Sequence, residues 1–267
     1  VVAVVLDGGA CCCLVFWLWS GALVLPRFAL QGTPAAIVLS GSSHLLFVGT
    51  NARVGVWDLL RGKSVLQVSA SELFGSASLS RAALIGDGPV PALVLGSGVC
   101  FSYSLEMSAW ICLVDGPKHE LSDFQSSMAA APELFGARPP LATVQAMAAS
   151  ANFADLTAAA AQLLGNRSET TLAHLESQVL ASCHLRSYVE LRYWAQQYAA
   201  QLVQYLADEI EEVGPKPVEK TRLRSLCEFL MGSRGAASVD AEQKQKRAVL
   251  KEVVLPILST NPSLSSW

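Results

Sequence analysis

The strongest constraint on the fold is a series of four short apolar segments. They occupy residues 36–39, 45–48, 54–58 and 65–68, and small or polar residues separate them. Segments of this length between turn-forming residues are typical of strands, and such short connections join antiparallel neighbours. The series therefore predicts a four-stranded antiparallel meander.

The third segment ends in Trp57 and Asp58, directly before the turn that leads to the fourth. A Trp-Asp pair at this place is typical of one blade of a WD-type β-propeller. A second group of predicted strands follows at residues 91–95, 99–103 and 109–114. Residues 1–116 are therefore predicted to form an antiparallel β domain.

This β domain is too small to close on itself. A blade takes roughly 40–45 residues, and a propeller needs at least about four blades. The sequence thus predicts an incomplete, propeller-like sheet whose edges other polypeptide must cover. A Trp that no further blade covers is a good interface anchor, so Trp57 and Asp58 are candidates for an oligomer interface.

Beyond the β domain, the pattern becomes helical. Residues 117–142 contain several prolines and are interpreted as a linker, and residues 143–267 as an α-helical domain. Helices are expected over residues 143–164 and in the segments that begin near Glu169 and Ser187, with a kink at Pro256 in the last helix. The predicted fold class is α+β: WD-type blades followed by a helical array.

One helix carries the clearest periodic stripe. Its members recur every three or four residues: Leu191, Trp194, Tyr198, Leu202 and Tyr205. Such a stripe usually faces the core. It is also a candidate face for a partner protein, because the outside of a helical array often binds one.

Composition narrows the function classes. The apolar share is 52%, the charged share 15% and the net charge −3, so the chain can build a core and lacks the basic surface typical of direct nucleic-acid binding. The apolar run 10–25 is shorter than the roughly 20 residues of a spanning helix and is interpreted as a buried strand pair, not a membrane segment. Because the chain begins with Val1, it is interpreted as a fragment or as the product of a truncated gene model.

No pattern for catalysis, a metal or a cofactor is found. The seven cysteines include no C-x-x-C pair, and the four histidines are scattered. No nucleophile elbow, zinc-protease motif or phosphate-binding loop occurs. The sequence therefore favours a non-catalytic interaction protein.

Four stretches together resemble the C-terminal region of HIRA-family histone-chaperone subunits. The similarity lies in residues 54–67, in residues 91–110, in 173–178 with 205–209, and in 222–227 with 250–258. Order and spacing agree over about residues 22–264. The run Cys11, Cys12 and Cys13 and the Ala-rich residues 129–161 depart from the family pattern.

The resemblance implies a nuclear subunit of a complex that deposits histones independently of replication and regulates transcription. It implies self-association as a homotrimer with Trp57 and Asp58 in the contact, binding of a large Cabin-type or Hir-type scaffold subunit, and only indirect contact with histones. A WD-repeat scaffold or adaptor of the vesicle-coat type is the alternative, because that class also joins propeller to helices. An unrecognised hydrolase is disfavoured, since no nucleophile and base are placed together.

Overall fold

The fold is described from a computed structural model, in which the strands come before the helices along the chain. The structure describes residues 2–7, 12–17, 20, 28–30, 32–40, 43–75, 77–86, 89–116, 122, 124, 139–149, 167–208, 217–232 and 241–261. Its contacts divide the chain into two compact units. The first comprises Val1–Gly116 with Thr143–Ala154, and the second comprises Pro117–Ala142 with Asp155–Trp267.

The described residues of the first unit include three antiparallel sheets. The first sheet contains β1 (Val2–Asp7), β2 (Cys12–Trp17) and β3 (Phe28–Ala29) in that order. The second is a meander of β4 (Pro34–Ser40), β5 (His44–Gly49), β6 (Arg53–Asp58) and β7 (Lys63–Ser69). The third is a meander of β8 (Leu79–Ile85), β9 (Val90–Leu95), β10 (Cys100–Ser104) and β11 (Ala109–Val114).

Strand β5 reads as a continuous apolar run because both of its faces are covered. Leu45 and Phe47 pack on one side with Leu30 and Leu59. Leu46 and Val48 pack on the other side in a larger cluster. The meander is therefore buried on both faces along β5, as the inside of a propeller blade is.

The two four-stranded sheets pack together as neighbouring blades. The larger cluster joins Leu46, Val56 and Leu66 of the second sheet to Leu93 of the third. At its border, the indole Nε1–H of Trp110 donates to the carbonyl of Ser69 over 2.9 Å. Each meander remains an open sheet with two edge strands. The prediction of WD-type blades that do not close into a barrel is confirmed.

One prediction for the strands needs correction. The second blade begins with β8 (Leu79–Ile85), which the sequence did not predict because its centre is polar and small: Ser80, Arg81, Ala82 and Ala83. Of the strand pair expected within residues 10–25, the described residues contain β2 (Cys12–Trp17), which pairs with β1 (Val2–Asp7); residues 10–11, 18–19 and 21–25 lie outside the described residues.

The helices in the described part of the chain follow the predicted order. They are α1 (Pro140–Ala149), α2 (Arg167–His184), α3 (Tyr188–Asp208), α4 (Pro217–Met231), α5 (Ala241–Val249) and α6 (Leu255–Ser259), with a π-helical segment at Leu250–Val254 between the last two. Helix α1 begins before the expected Thr143, and the predicted continuation to residue 164 lies outside the described residues. Helices α2 and α3 pack as a hairpin, with Arg186 at φ 54° in the connection.

The kink expected at Pro256 takes the form of the π-helical segment just before it. Proline has no N–H, and its ring collides with the carbonyl four residues earlier in a regular helix. A wider turn at Leu250–Val254 relieves this, and the N–H of Leu255 donates to the carbonyl of Leu250. None of the described helices combines the length and the apolar character that crossing a bilayer requires.

Candidate interaction surfaces

Trp57 lies half-buried against the cluster of Leu30, Leu45, Phe47 and Leu59 on the first complete blade. Its indole ring lies 6.1 Å from the ring of Phe47, centroid to centroid, at an interplanar angle of 54°. The ring also crosses Gly55, where a Cβ atom would come within 2.7 Å of the indole. Glycine at that position therefore lets the indole lie flat along the strand.

Asp58 is buried and organises the turn after β6. Its Oδ1 accepts hydrogen bonds from the backbone N–H groups of Leu60 at 3.0 Å and Arg61 at 3.1 Å. Its Oδ2 lies 3.6 Å from Arg61 Nη1 and 4.0 Å from His44 Nε2. The carboxylate thus fixes the turn, and its role in an oligomer contact stays a proposal.

The same end of the blade brings Ser43, His44 and Asp58 together, which sequence spacing did not reveal. Ser43 Oγ lies 2.9 Å from His44 Nδ1, while Asp58 approaches the other ring nitrogen. The strand register, which pairs His44 with Asp58, brings these three side chains together. Two backbone N–H groups already occupy Oδ1 of Asp58, so the arrangement serves to hold the strand ends together.

Exposed apolar side chains mark the turns that join the third and fourth strands of each blade. Leu60 is 76% exposed in the β6–β7 turn, and Leu105 and Met107 are 65% and 70% exposed in the β10–β11 turn. The sequence signal was the presence of large apolar residues within predicted turns. These tips and Trp57 supply the apolar surface available to a partner on the blades.

The stripe on α3 is core. Leu191, Trp194, Tyr198 and Leu202 are at most 2% exposed, and only Tyr205 is partly exposed. The edge of the Trp194 ring meets the ring of His174 on α2 at 5.9 Å. Burial raises the pKa of the Tyr198 hydroxyl well above its usual value. As placed, these side chains hold the α2–α3 hairpin together, and they do not offer a face to a partner.

Helix α2 also buries a polar stripe that the sequence analysis missed. Thr171, His174, Gln178 and Ser182 recur every three or four residues and are at most 2% exposed. Ser182 Oγ donates to the carbonyl of Gln178 over 2.7 Å. The periodicity of apolar residues predicts the face formed by Leu172, Leu175, Val179 and Cys183, but it gives no sign of the buried polar face.

Glu190 is fully buried and caps a helix far away in the sequence. Its carboxylate accepts hydrogen bonds from the N–H groups of Leu141 at 3.2 Å and Ala142 at 2.8 Å, in the first turn of α1. The Ser187 side chain also bonds to it. Burial raises the pKa of Glu190, and these hydrogen bonds oppose the rise. The predicted Ser187–Glu190 capping box therefore extends to a second helix.

Another predicted cap bonds to a different helix from the one expected. Gln243 Nε2 donates to the carbonyls of Leu230 at 3.3 Å and Met231 at 2.7 Å, and Arg247 Nε donates to Met231 at 3.1 Å. Gln243 thus ends α4, whereas its expected partner Asp240 lies outside the described residues. In the described ranges, no group of three or more His, Cys, Asp or Glu side chains could hold a metal ion.

Comparison with known proteins decides the family. The sequence pattern of the Hira family, described as TUP1-like enhancer of split, matches residues 21–230. The chain belongs to the Hira family. Its match extends from the sheets of the first unit into α4 of the second.

The individual proteins that this Hira-family chain resembles are consistent with that family. It is 28% identical to Protein HIRA of Gallus gallus and 27% identical to Protein HIRA of Homo sapiens, over 90% and 86% of its length. It spans only 23% and 22% of those two proteins. The crystal structure of HIRA(644-1017) superposes with a TM-score of 0.57 and 25% identity, covering 95% of this chain and 70% of that one.

Proposed function

We propose that this Hira-family chain is a non-catalytic region of a nuclear histone-chaperone complex. It acts in replication-independent nucleosome assembly and transcriptional regulation, by self-association and by binding a Cabin-type or Hir-type scaffold subunit. The observation that carries the proposal is the family match across both the blades and the helices. Open blades with exposed apolar turn tips support an assembly role.

Recovery of partners tests the complex. The tagged chain is expressed as a fluorescent fusion, located in the cell, and then captured from nuclear and cytosolic extracts for mass spectrometry. We expect nuclear signal and recovery of histones together with a large scaffold subunit. Cytosolic signal with recovery of coat components would instead support the vesicle-coat adaptor.

Self-association is proposed to use the surface around Trp57. Trp57→Ala removes an anchor of the type that dominates interfaces, so we expect the mass in light scattering to fall from trimer to monomer. Circular dichroism should stay unchanged, because the side chain is half-buried and lies outside the helices.

The matched control is Leu180→Ala. It removes an exposed apolar side chain from helix α2, outside the blades, and it should leave the mass as it was. An unchanged mass for Trp57→Ala would contradict the interface assignment. Asp58→Lys is a poor probe here, since it also removes the acceptor that fixes the turn.

A further inference from the structure

A thiol, an amine and a carboxylate meet where the end of α2 approaches the start of α5. Cys183 Sγ lies 3.7 Å from Glu242 Oε1, and Lys246 Nζ lies 2.7 Å from the same oxygen atom. Burial raises the pKa of the Cys183 thiol, and the nearby Lys246 ammonium group opposes that rise. The sulfur and the nitrogen are therefore held as neighbours on one carboxylate.

The surroundings keep these groups in place and limit access to them. Lys246 is 14% exposed at its side chain and lies over the Phe229 ring, 5.0 Å from its centroid. Cys183 is 8% exposed, whereas the Glu242 side chain is 32% exposed and opens the cluster to solvent.

We propose that Cys183 and Lys246 form a reversible covalent bridge, a sulfenamide between Sγ and Nζ, when a peroxide oxidises the chain. This site is independent of the proposed chaperone function. It would lock the end of α2 to α5, and it would place an oxidant-responsive crosslink within the helical unit.

The chemistry balances in two steps. The sulfur attacks one peroxide oxygen, the O–O bond breaks, and the sulfur is oxidised by two electrons to sulfenic acid while water is released. The Lys246 nitrogen then attacks the sulfur, the S–O bond breaks and a second water leaves. Glu242 accepts the proton from the ammonium group, which frees the lone pair. The chain loses two hydrogens in total, and the peroxide becomes two waters.

Mass spectrometry of the full chain tests the bridge. The reduced protein is treated with hydrogen peroxide and digested with trypsin without reductant. We expect a peptide containing Cys183 joined to one containing Lys246, lighter by two hydrogens than their sum, with loss of cleavage after Lys246. Dithiothreitol should restore both peptides.

Conservative variants separate the bridge from general thiol oxidation. Lys246→Arg keeps the ion pair with Glu242 but lacks the primary amine, so the crosslink should vanish and Cys183 should stop at its oxygen acids. Glu242→Gln should slow bridging by roughly tenfold or more, because no carboxylate takes the proton. Cys227 on α4, whose thiol lies near Glu228, reports background oxidation in the same digest.

Two results would overturn the proposal. One is Cys183 oxidised to sulfenic or sulfinic acid, or left as a thiol, with no link to Lys246. The other is an equal yield of the crosslink from the urea-unfolded chain, since the folded arrangement would then play no part.

Discussion

Two buried carboxylates show how single residues of this chain serve the backbone. Asp58 binds the N–H groups of the turn that follows it, and Glu190 binds those of a helix about 50 positions earlier in the sequence. An isolated buried carboxylate is costly, and accepting hydrogen bonds from N–H groups offsets that cost. Both carboxylates therefore stabilise the fold by accepting hydrogen bonds from backbone N–H groups that would otherwise be unpaired.

At Asp58, we expect the alanine variant to lower the free energy of unfolding by about 1–3 kcal/mol, because Leu60 and Arg61 lose their N–H acceptor. Asp58→Asn retains that acceptor oxygen and should lose less. Arg61→Ala is the control, since its side chain is 83% exposed and the surface ion pair contributes little. Urea unfolding measures all three. Equal losses for the alanine and asparagine variants would rule out the turn role.

At Glu190, we expect Glu190→Ala to cost about 1–3 kcal/mol, because the first turn of α1 loses its acceptor. Glu190→Gln keeps an acceptor oxygen without the charge, and should cost less. Urea unfolding of both variants and the wild type at neutral pH measures the difference.

The pH dependence of the same residue has a definite sign. Burial raises the pKa of Glu190, so the folded chain binds this proton more tightly than the unfolded chain does. The stability from the protonated form is therefore present at acid pH and is lost as the pH rises from the usual value through the raised pKa. Over that window the wild type should lose stability relative to Glu190→Gln. A constant difference between the two would contradict this assignment.

At the scale of elements, helix ends depend on bonds from other helices. Helix α4 ends at Met231, followed by Gly232 at φ +69°, and Gln243 and Arg247 of α5 bind its last carbonyls. Gly232 thus has two reasons to be glycine. Its φ is strained for other residues, and an added Cβ would collide with the Gln243 amide.

Gly232→Ala should therefore lower the free energy of unfolding by about 1–2 kcal/mol or more. Gly62→Ala is the matched control, because Gly62 has φ +60° with open space around it and suffers only the backbone strain. Thermal unfolding compares the two, and hydrogen exchange in the last turn of α4 should be faster in Gly232→Ala alone. Identical effects would mean that the contact with Gln243 contributes nothing.

At the scale of the whole molecule, the two four-stranded blades bury apolar side chains against each other. Trp110 of β11 bonds to Ser69 at the end of β7 and packs edge-on against Tyr103 at 5.2 Å between ring centroids. This contact joins the outer strands of the two four-stranded sheets.

Trp110→Phe tests the link between the blades. It keeps an aromatic ring against Tyr103 and removes the N–H donor, so we expect a loss of about 1 kcal/mol, and a larger loss for Trp110→Ala. Faster hydrogen exchange at the end of β7 should accompany it. Unchanged exchange there would show that the bond to Ser69 does not hold the sheets together.

Local sequence determined the blades, because each strand pairs with its neighbour along the chain through a short turn. Apolar segments, turn residues and the Trp57–Asp58 pair placed β4 to β7 almost residue by residue, and the stripe from Leu191 to Tyr205 identified α3. Strand β8 was not predicted, because its alternation of apolar and polar residues is weak. Its pairing with β9 defines it.

Tertiary structure decided what those elements do. The sequence could not tell that Glu190 reaches α1 or that Gln243 ends α4, because hydrogen bonds between residues distant in sequence leave no periodic trace. Nor could it place Cys183 beside Lys246. Periodicity reports which side of an element is buried, whereas only the packed chain brings particular polar groups to within bonding distance.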